Sequence, residues 1–259
     1  MMINQQQEFF NHFNTFFNHI YVLTIERAKE RQEAISKEFE GLNFNFFYGF
    51  DKKNLDNMEL EQNNIYSSSK AIKNSRYNKP MKLGEIACSM GHKAIYEDMI
   101  ANNYSNALIL EDDVSINNEP GINLENIFKQ LPKNWDLVYF DYFKNDKATL
   151  VGTTKQLVYH LQKKLGFLKW SHTTISNLYA KPFSANLKIA GYHDFTSAYA
   201  INLKTAKLLI EKQTPICNPA DHALSYIITN KLINAYITVP KIFFQKSQTN
   251  KEMYNSYVE

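Results

Sequence analysis

The densest chemistry in the chain is the run Glu111-Asp112-Asp113, which directly follows the apolar stretch Leu108-Ile109-Leu110. Three adjacent carboxylates repel one another unless a cation or solvent relieves them. If 106–110 is a strand, they stand at its carboxyl end, where open α/β sheets bind ligands. With the chain extended, residues 111 and 113 face one side. They could then share one hard divalent ion, its remaining positions filled by diphosphate oxygens and water. A solvated acidic turn is the alternative, and spacing leaves both readings open. A second polar set lies in GEIACSMGHKAIYEDMI, where Glu85, Ser89, His92 and Tyr96 recur at i, i+4, i+7 and i+11. That spacing makes one stripe on a helix that is otherwise apolar almost all round. Buried polar groups need partners, so the stripe either lines a ligand site or meets water at the surface.

These groups need a scaffold. Residues 19–25, 43–50, 106–110, 136–141, 195–201 and 235–239 read as short apolar strands. Residues 26–40, 83–102, 121–131, 203–212 and 222–231 read as helices. Such alternation predicts an α/β layer architecture. Residues 51–80 are polar and predict a loop with one short helix. The expected organisation is a single domain over 19–245, an N-terminal extension over 1–18 and a polar tail over 246–259. Within the domain, 144–190 reads as an irregular insertion or lid. Its stretch 155–170 sets Leu157, Val158, Leu161, Leu165 and Leu168 among Lys155, Lys163, Lys164 and Lys169. Such a basic amphipathic helix either packs one face on the core or lies on an anionic membrane surface.

Composition removes several function classes. The 259 residues carry 29 basic and 26 acidic side chains, a net charge of +3. That balance argues against a dedicated nucleic-acid binder. Two cysteines cannot build a disulfide framework or a Cys-rich zinc site, and they fit a reducing compartment. The eight scattered glycines write neither a dinucleotide fingerprint nor a P-loop. No apolar run approaches the ~20 residues that span a bilayer. The first residues lack a basic segment followed by an apolar one, so a cytoplasmic location is expected. The only arginines are Arg27, Arg31 and Arg76, which leaves phosphate neutralisation to lysine or a metal.

GEIACSMGHKAIYEDMI followed by NALILEDDV resembles the signature of glycosyltransferase family 25, a G-E-I-G/A-C-x-x-S/G-H helix and then a strand ending in E-D-D. Other elements agree in order. YVLTIERAKERQ resembles the family's first strand and arginine-bearing turn, and Phe50-Asp51 its small-residue-x-Asp element. Trp135-Asp136 matches a Trp-Asp pair. Thr196-Ser197-Ala198-Tyr199 resembles G-T-x-A-Y, and Pro219-Ala220-Asp221-His222 resembles P-x-D-H. The likeness spans roughly 19–245. Two departures stand out: Phe195 replaces the usual Gly before Thr196, and Gly91 precedes His92 where Ser is usual. Residues 144–190 align with nothing in the family.

The resemblance implies a GT-A type fold, with a mixed, mostly parallel central sheet flanked by helices. It also implies an inverting hexosyl transfer from a UDP-sugar, galactose first, with a divalent metal, Mn²⁺ or Mg²⁺. By that likeness Asp113 is the metal ligand, assisted by Glu111, and Asp112 supports or faces solvent. Thr24, Arg27 and Asp51 are candidates for the uridine and ribose, and Ser89 and His92 for the donor side. The general base is sought first at Asp221, then at Asp194 and Asp141. Asp221 could instead cap 222–231, and His222 could orient Asp221 or bind metal. The acceptor implied is a lipid-linked or lipopolysaccharide-core oligosaccharide, reached by peripheral contact with the inner membrane. UDP-glucose or UDP-N-acetylhexosamine as donor, or a degenerate carbohydrate-binding protein, are the alternatives.

Overall fold

The computed structural model describes residues 3–246. Ten short strands are β1 His19–Thr24, β2 Asn45–Tyr48, β3 Asn106–Glu111, β4 Val114–Ile116, β5 Leu137–Tyr139, β6 Lys181–Pro182, β7 Leu187–Ile189, β8 Ala198–Asn202, β9 Ala235–Thr238 and β10 Phe243–Gln245. The helices are α1 Ile3–Phe16, α2 Lys29–Glu38, α3 Asn57–Gln62, α4 Ser68–Asn74, α5 Leu83–Ala101, α6 Leu124–Gln130, α7 Leu150–Lys164, α8 His172–Ser176, α9 Leu203–Lys212 and α10 Ala220–Thr229. Eight strands form one mixed sheet in the order β2-β1-β3-β8-β5-β9-β7-β6, and β4 pairs with β10 in a small second sheet. β1 runs parallel to β2 and β3, while β8 is antiparallel to both β3 and β5. The mixed α/β sheet flanked by helices is the expected fold class.

Each central strand is apolar on both sides because both sheet faces are covered. Alternate residues serve opposite layers. Ile20, Val22, Leu108 and Leu110 join Phe10, Phe13 and Ile35 on one face. Tyr21, Ile109, Tyr139 and Tyr199 join Ile95, Met99 and Ile227 on the other. The expected N-terminal extension, residues 1–18, contains a helix. Residues 3–16 form α1, whose Phe9, Phe10 and Phe13, with Phe17 just beyond, are buried in the first of these layers. The polar 51–80 segment holds two short helices, α3 and α4, each started by a side-chain cap: Asp56 accepts from Met58 and Glu59 N–H, and Ser67 from Lys70 N–H. Residues 144–190 are more regular than expected, with α7, α8 and the β6–β7 edge. The polar tail beyond Lys246 lies outside the described residues.

What the fold supplies to function is one edge. β1, β2 and β3 are parallel and end together, with Leu23 opposite Glu111 and Thr24 opposite Tyr48. α5 closes against that edge at Gly49 and Gly91. A Cβ on either glycine would lie 3.0–3.1 Å from Leu23 Cδ1, and Gly49's would lie 3.6 Å from the Gly91 Cα. A serine at position 91 would need Leu23 to shift, so here Gly91 permits the close approach.

Candidate active site

Beyond the ends of β1, β2 and β3 lies an open cleft. Thr24, Asp51, Glu111, Asp112 and Asp113 line it, together with Arg31. The chain does not stay extended through the acidic run. It turns at Asp112–Asp113 and re-enters a strand at Val114, and the three carboxylates take different partners. Glu111 Oε1 accepts the Thr196 hydroxyl at 2.7 Å and lies 3.4 Å from His92 Nε2. Asp112 accepts from the Thr24 hydroxyl at 2.6 Å and from Arg31 at 2.8 Å. Asp113 Oδ2 accepts from Gln245 Nε2 at 3.3 Å, while its buried Oδ1 has no hydrogen-bond partner.

The electrostatics follow from this placement. Burial raises the Glu111 carboxyl, but His92, Thr196 and Arg31 outweigh it and hold the group below its ordinary value. Burial raises Asp112 despite the opposing bonds from Thr24 and Arg31. Asp113 is pushed up to about 7, first by burial and then by Glu111, with Arg31 opposing. The turn therefore concentrates more negative charge than Arg31 alone offsets. A divalent ion fits this donor set: hard oxygens, an orphaned buried carboxylate oxygen, and mutual repulsion that a cation would remove. A second ligand-capable group adjoins it, since Cys88, His92 and Glu111 offer atoms within 4.8 Å of one another. Burial holds the Cys88 thiol well above its ordinary value, so it stays protonated.

The sequence candidates divide. Thr24 lines the cleft but spends its hydroxyl on Asp112. Arg27 forms an ion pair with Asp51 and holds that carboxyl below the usual range. Arg27 itself does not line the cleft, and Asp51 also caps the short turn Lys52–Asn54. His92 sits buried behind Glu111, its Nδ1 2.9 Å from the Tyr199 hydroxyl, which in turn lies 2.7 Å from that of Tyr96. Of the α5 stripe, His92 and Tyr96 thus belong to an internal polar chain through Tyr199 that adjoins Glu111. Ser89 stands apart from the cleft. Its hydroxyl donates to the Asn218 carbonyl and it does not line the cleft, so its visible role is to tie α5 to the turn before α10. Arg31, Thr196 and Gln245 are additions. Thr196 left a sequence signal in the Thr196-Ser197-Ala198-Tyr199 element, and Arg31 a fainter one as a second arginine one helical turn after Arg27.

The base candidates sit on the β8 side. Asp194, Asp221 and His222 bring ligand-capable atoms within 4.8 Å of one another. Asp221 occupies the first turn of α10, whose N-cap is Pro219, so it does not cap that helix. Its Oδ2 accepts the N–H of Phe195 at 3.1 Å. Phe195 has φ +74°, a left-handed conformation that favours glycine and explains why the resembled motif carries Gly there. Asp221's negative charge also raises the Cys88 thiol, after burial and Glu111. Asp194 is paired with Lys144 at 2.7 Å. Asp141, the third base candidate, is fully engaged. Its buried carboxylate accepts from Ser197, Tyr142 N–H and Gln245 N–H and pairs with Lys241, so it braces β10 beneath Asp113.

A family model described as "Glycosyltransferase family 25 (LPS biosynthesis protein)" matches residues 17–224. The chain is similar to a glycosyltransferase 25 family member of Aedes aegypti, 26% identical over 203 residues, covering 76% of this chain and 28% of that protein. It is similar to a second such member from Anopheles gambiae, 25% identical and covering 93% and 39% respectively. A third relative is procollagen galactosyltransferase 2 of Mus musculus, 22% identical, with 75% and 27% covered. The chain thus spans between about a quarter and two fifths of the length of these curated relatives.

Proposed function

The chain belongs to glycosyltransferase family 25, and from that premise we propose that it is an inverting, metal-dependent transferase moving a hexose from a UDP-sugar to a glycan. The observation that carries the reading is the acidic turn at the shared end of three parallel strands, with the unpartnered Oδ1 of Asp113 buried in it. Asp113 and Glu111 would hold the divalent ion, Mn²⁺ or Mg²⁺. Bound there, it would supply Lewis-acid stabilisation of the negative charge that develops on the departing diphosphate. Arg31 and Thr24 fix Asp112 at the base of the cleft, so the turn keeps its shape when the donor enters. Asp51 and the open end of β2 would meet the nucleoside. His92 and Thr196 hold Glu111 ionised and oriented. Asp221 takes the proton from the acceptor hydroxyl as it attacks, with Asp194 as the second choice.

Galactose is the proposed sugar because a relative is named a procollagen galactosyltransferase and the motifs resemble that family's galactosyltransferases. A lipid-linked or lipopolysaccharide-core oligosaccharide is the proposed acceptor, consistent with the matched family's description. It would be met on the cytoplasmic face of a membrane by a peripheral protein. Among the described residues no helix is long and apolar enough to cross a membrane. The test is UDP release from a panel of UDP-hexoses with Mn²⁺. UDP-galactose is expected to turn over fastest. Faster release from UDP-glucose or UDP-N-acetylhexosamine would reassign the sugar, and no release from any donor would favour a carbohydrate-binding role instead.

A further inference from the structure

α7 presents its apolar side outward. The side that packs on the protein carries the buried Gly152, Gln156 bonded to the Ile175 carbonyl at 2.7 Å, Tyr159 edge-on to Trp170, and His160 stacked on His172. Leu150, Leu157 and Leu161 with the C-capping Leu165 fall in one stripe by helical spacing, and they are 90%, 67%, 56% and 59% exposed. Phe167, just beyond, is 81% exposed. An ordinary surface helix does the reverse and shows water its polar side. A contiguous exposed apolar face marks a contact surface.

Charge indicates the partner. From Lys147 to His193 the chain has seven lysines and no acidic residue. Lys164 borders the leucine stripe by helical spacing, Lys155 stands exposed further round the helix, and neither forms an ion pair among the described residues. Long lysine stems can cover apolar surface while their heads stay in water. Lys169 donates to the Ile72 and Ser75 carbonyls and anchors the end of this segment to α4. Two copies meeting through this face would juxtapose like charges, which disfavours self-association. We infer that α7 and the turn through Phe167 are a membrane-docking element, seating the leucine stripe at the acyl boundary of an anionic bilayer with lysines on the headgroups. This gives the proposed membrane-bound acceptor a physical means of approach, yet the contact itself needs neither donor nor acceptor.

The test is flotation of the full chain with vesicles of phosphatidylcholine and phosphatidylglycerol at low salt. The protein is expected to float with these vesicles, not with phosphatidylcholine alone, and to be released near about 0.5 M salt. Leu157→Gln with Leu161→Gln should weaken binding at least about tenfold, and Lys155→Gln or Lys164→Gln about fivefold each. Because these side chains are exposed, thermal midpoint and UDP binding should not change, which separates failure here from failure of the donor-site reading. No recruitment to anionic vesicles would overturn the inference, as would undiminished binding by the double leucine variant. A concentration-dependent dimer abolished by the same double variant would instead assign the face to a second copy and overturn it equally.

Discussion

Asp113→Asn is expected to lower turnover by about a thousandfold while leaving the protein folded and, without metal, more heat-stable than the parent. The first half follows from the role proposed for Oδ1. An amide is a poor ligand for a hard cation, and losing electrostatic stabilisation of the departing diphosphate costs several kcal/mol of barrier. The second half follows from the charge cluster. Asp113 is raised to about 7 by burial and by Glu111. A carboxyl whose folded value is raised is ionised more readily in the unfolded chain. The metal-free fold therefore loses stability as pH rises from about 4 toward 7. Asparagine removes that penalty and can still accept from Gln245. Thermal unfolding in chelator should show the variant's midpoint a few degrees above the parent's at pH 7.5, and equal near pH 4. Adding Mn²⁺ should raise the parent's midpoint and leave the variant's unchanged. Near-normal turnover would remove Asp113 from the mechanism.

Asp221→Asn should lower kcat by about 10²–10⁴-fold, the range for loss of a general base, with UDP affinity unchanged. The amide oxygen can still accept the Phe195 N–H, so the left-handed turn and the fold should persist. Asp194→Asn should cost less, because that carboxylate is already engaged by Lys144. The pair of variants is read by steady-state kinetics with the preferred donor, together with a thermal midpoint for each. If Asp194→Asn shows the larger kcat loss, the base assignment moves to Asp194 and Asp221 becomes the group that holds Phe195.

Much of this arrangement was legible because it is local. The apolar run 106–110 ending in carboxylates, the α5 stripe, and the strands 19–25 and 43–50 that end near Thr24 and Tyr48 all follow from period and composition over a few residues. What escaped depends on contacts far apart in sequence. β4 and β10 have three residues each, too few to show a period. Their pairing of Val114 with Gln245 is what brings Gln245 to Asp113 from a segment that reads as the start of a tail. Arg31 looked like one charge among many on a polar helix; its contact with Asp112 depends on how α2 is rotated against the strand ends. α1 was visible in principle, since Phe9, Phe10, Phe13 and Phe17 keep one helical face, but the polar residues between them mask it. The amphipathic pattern near 155–170 was clear as well. Which side faced the protein was not, because periodicity marks a face without saying what covers it.

The departures from the resembled motifs now have local explanations. Phe195 adopts a backbone conformation natural to glycine and is held by Asp221, with its ring 5.1 Å from that of Phe143. Gly91 stands where α5 meets Leu23. Gly91 lines the cleft itself, beside the acidic turn.

The central claim is that the acidic turn binds a nucleoside diphosphate through a divalent ion. Calorimetric titration of UDP into the purified chain, first with Mn²⁺ and then in excess chelator, tests it most directly. The account predicts saturable UDP binding with Mn²⁺, abolished by chelator and by Asp113→Asn. UDP binding of equal strength in chelator, or none under either condition, would contradict it.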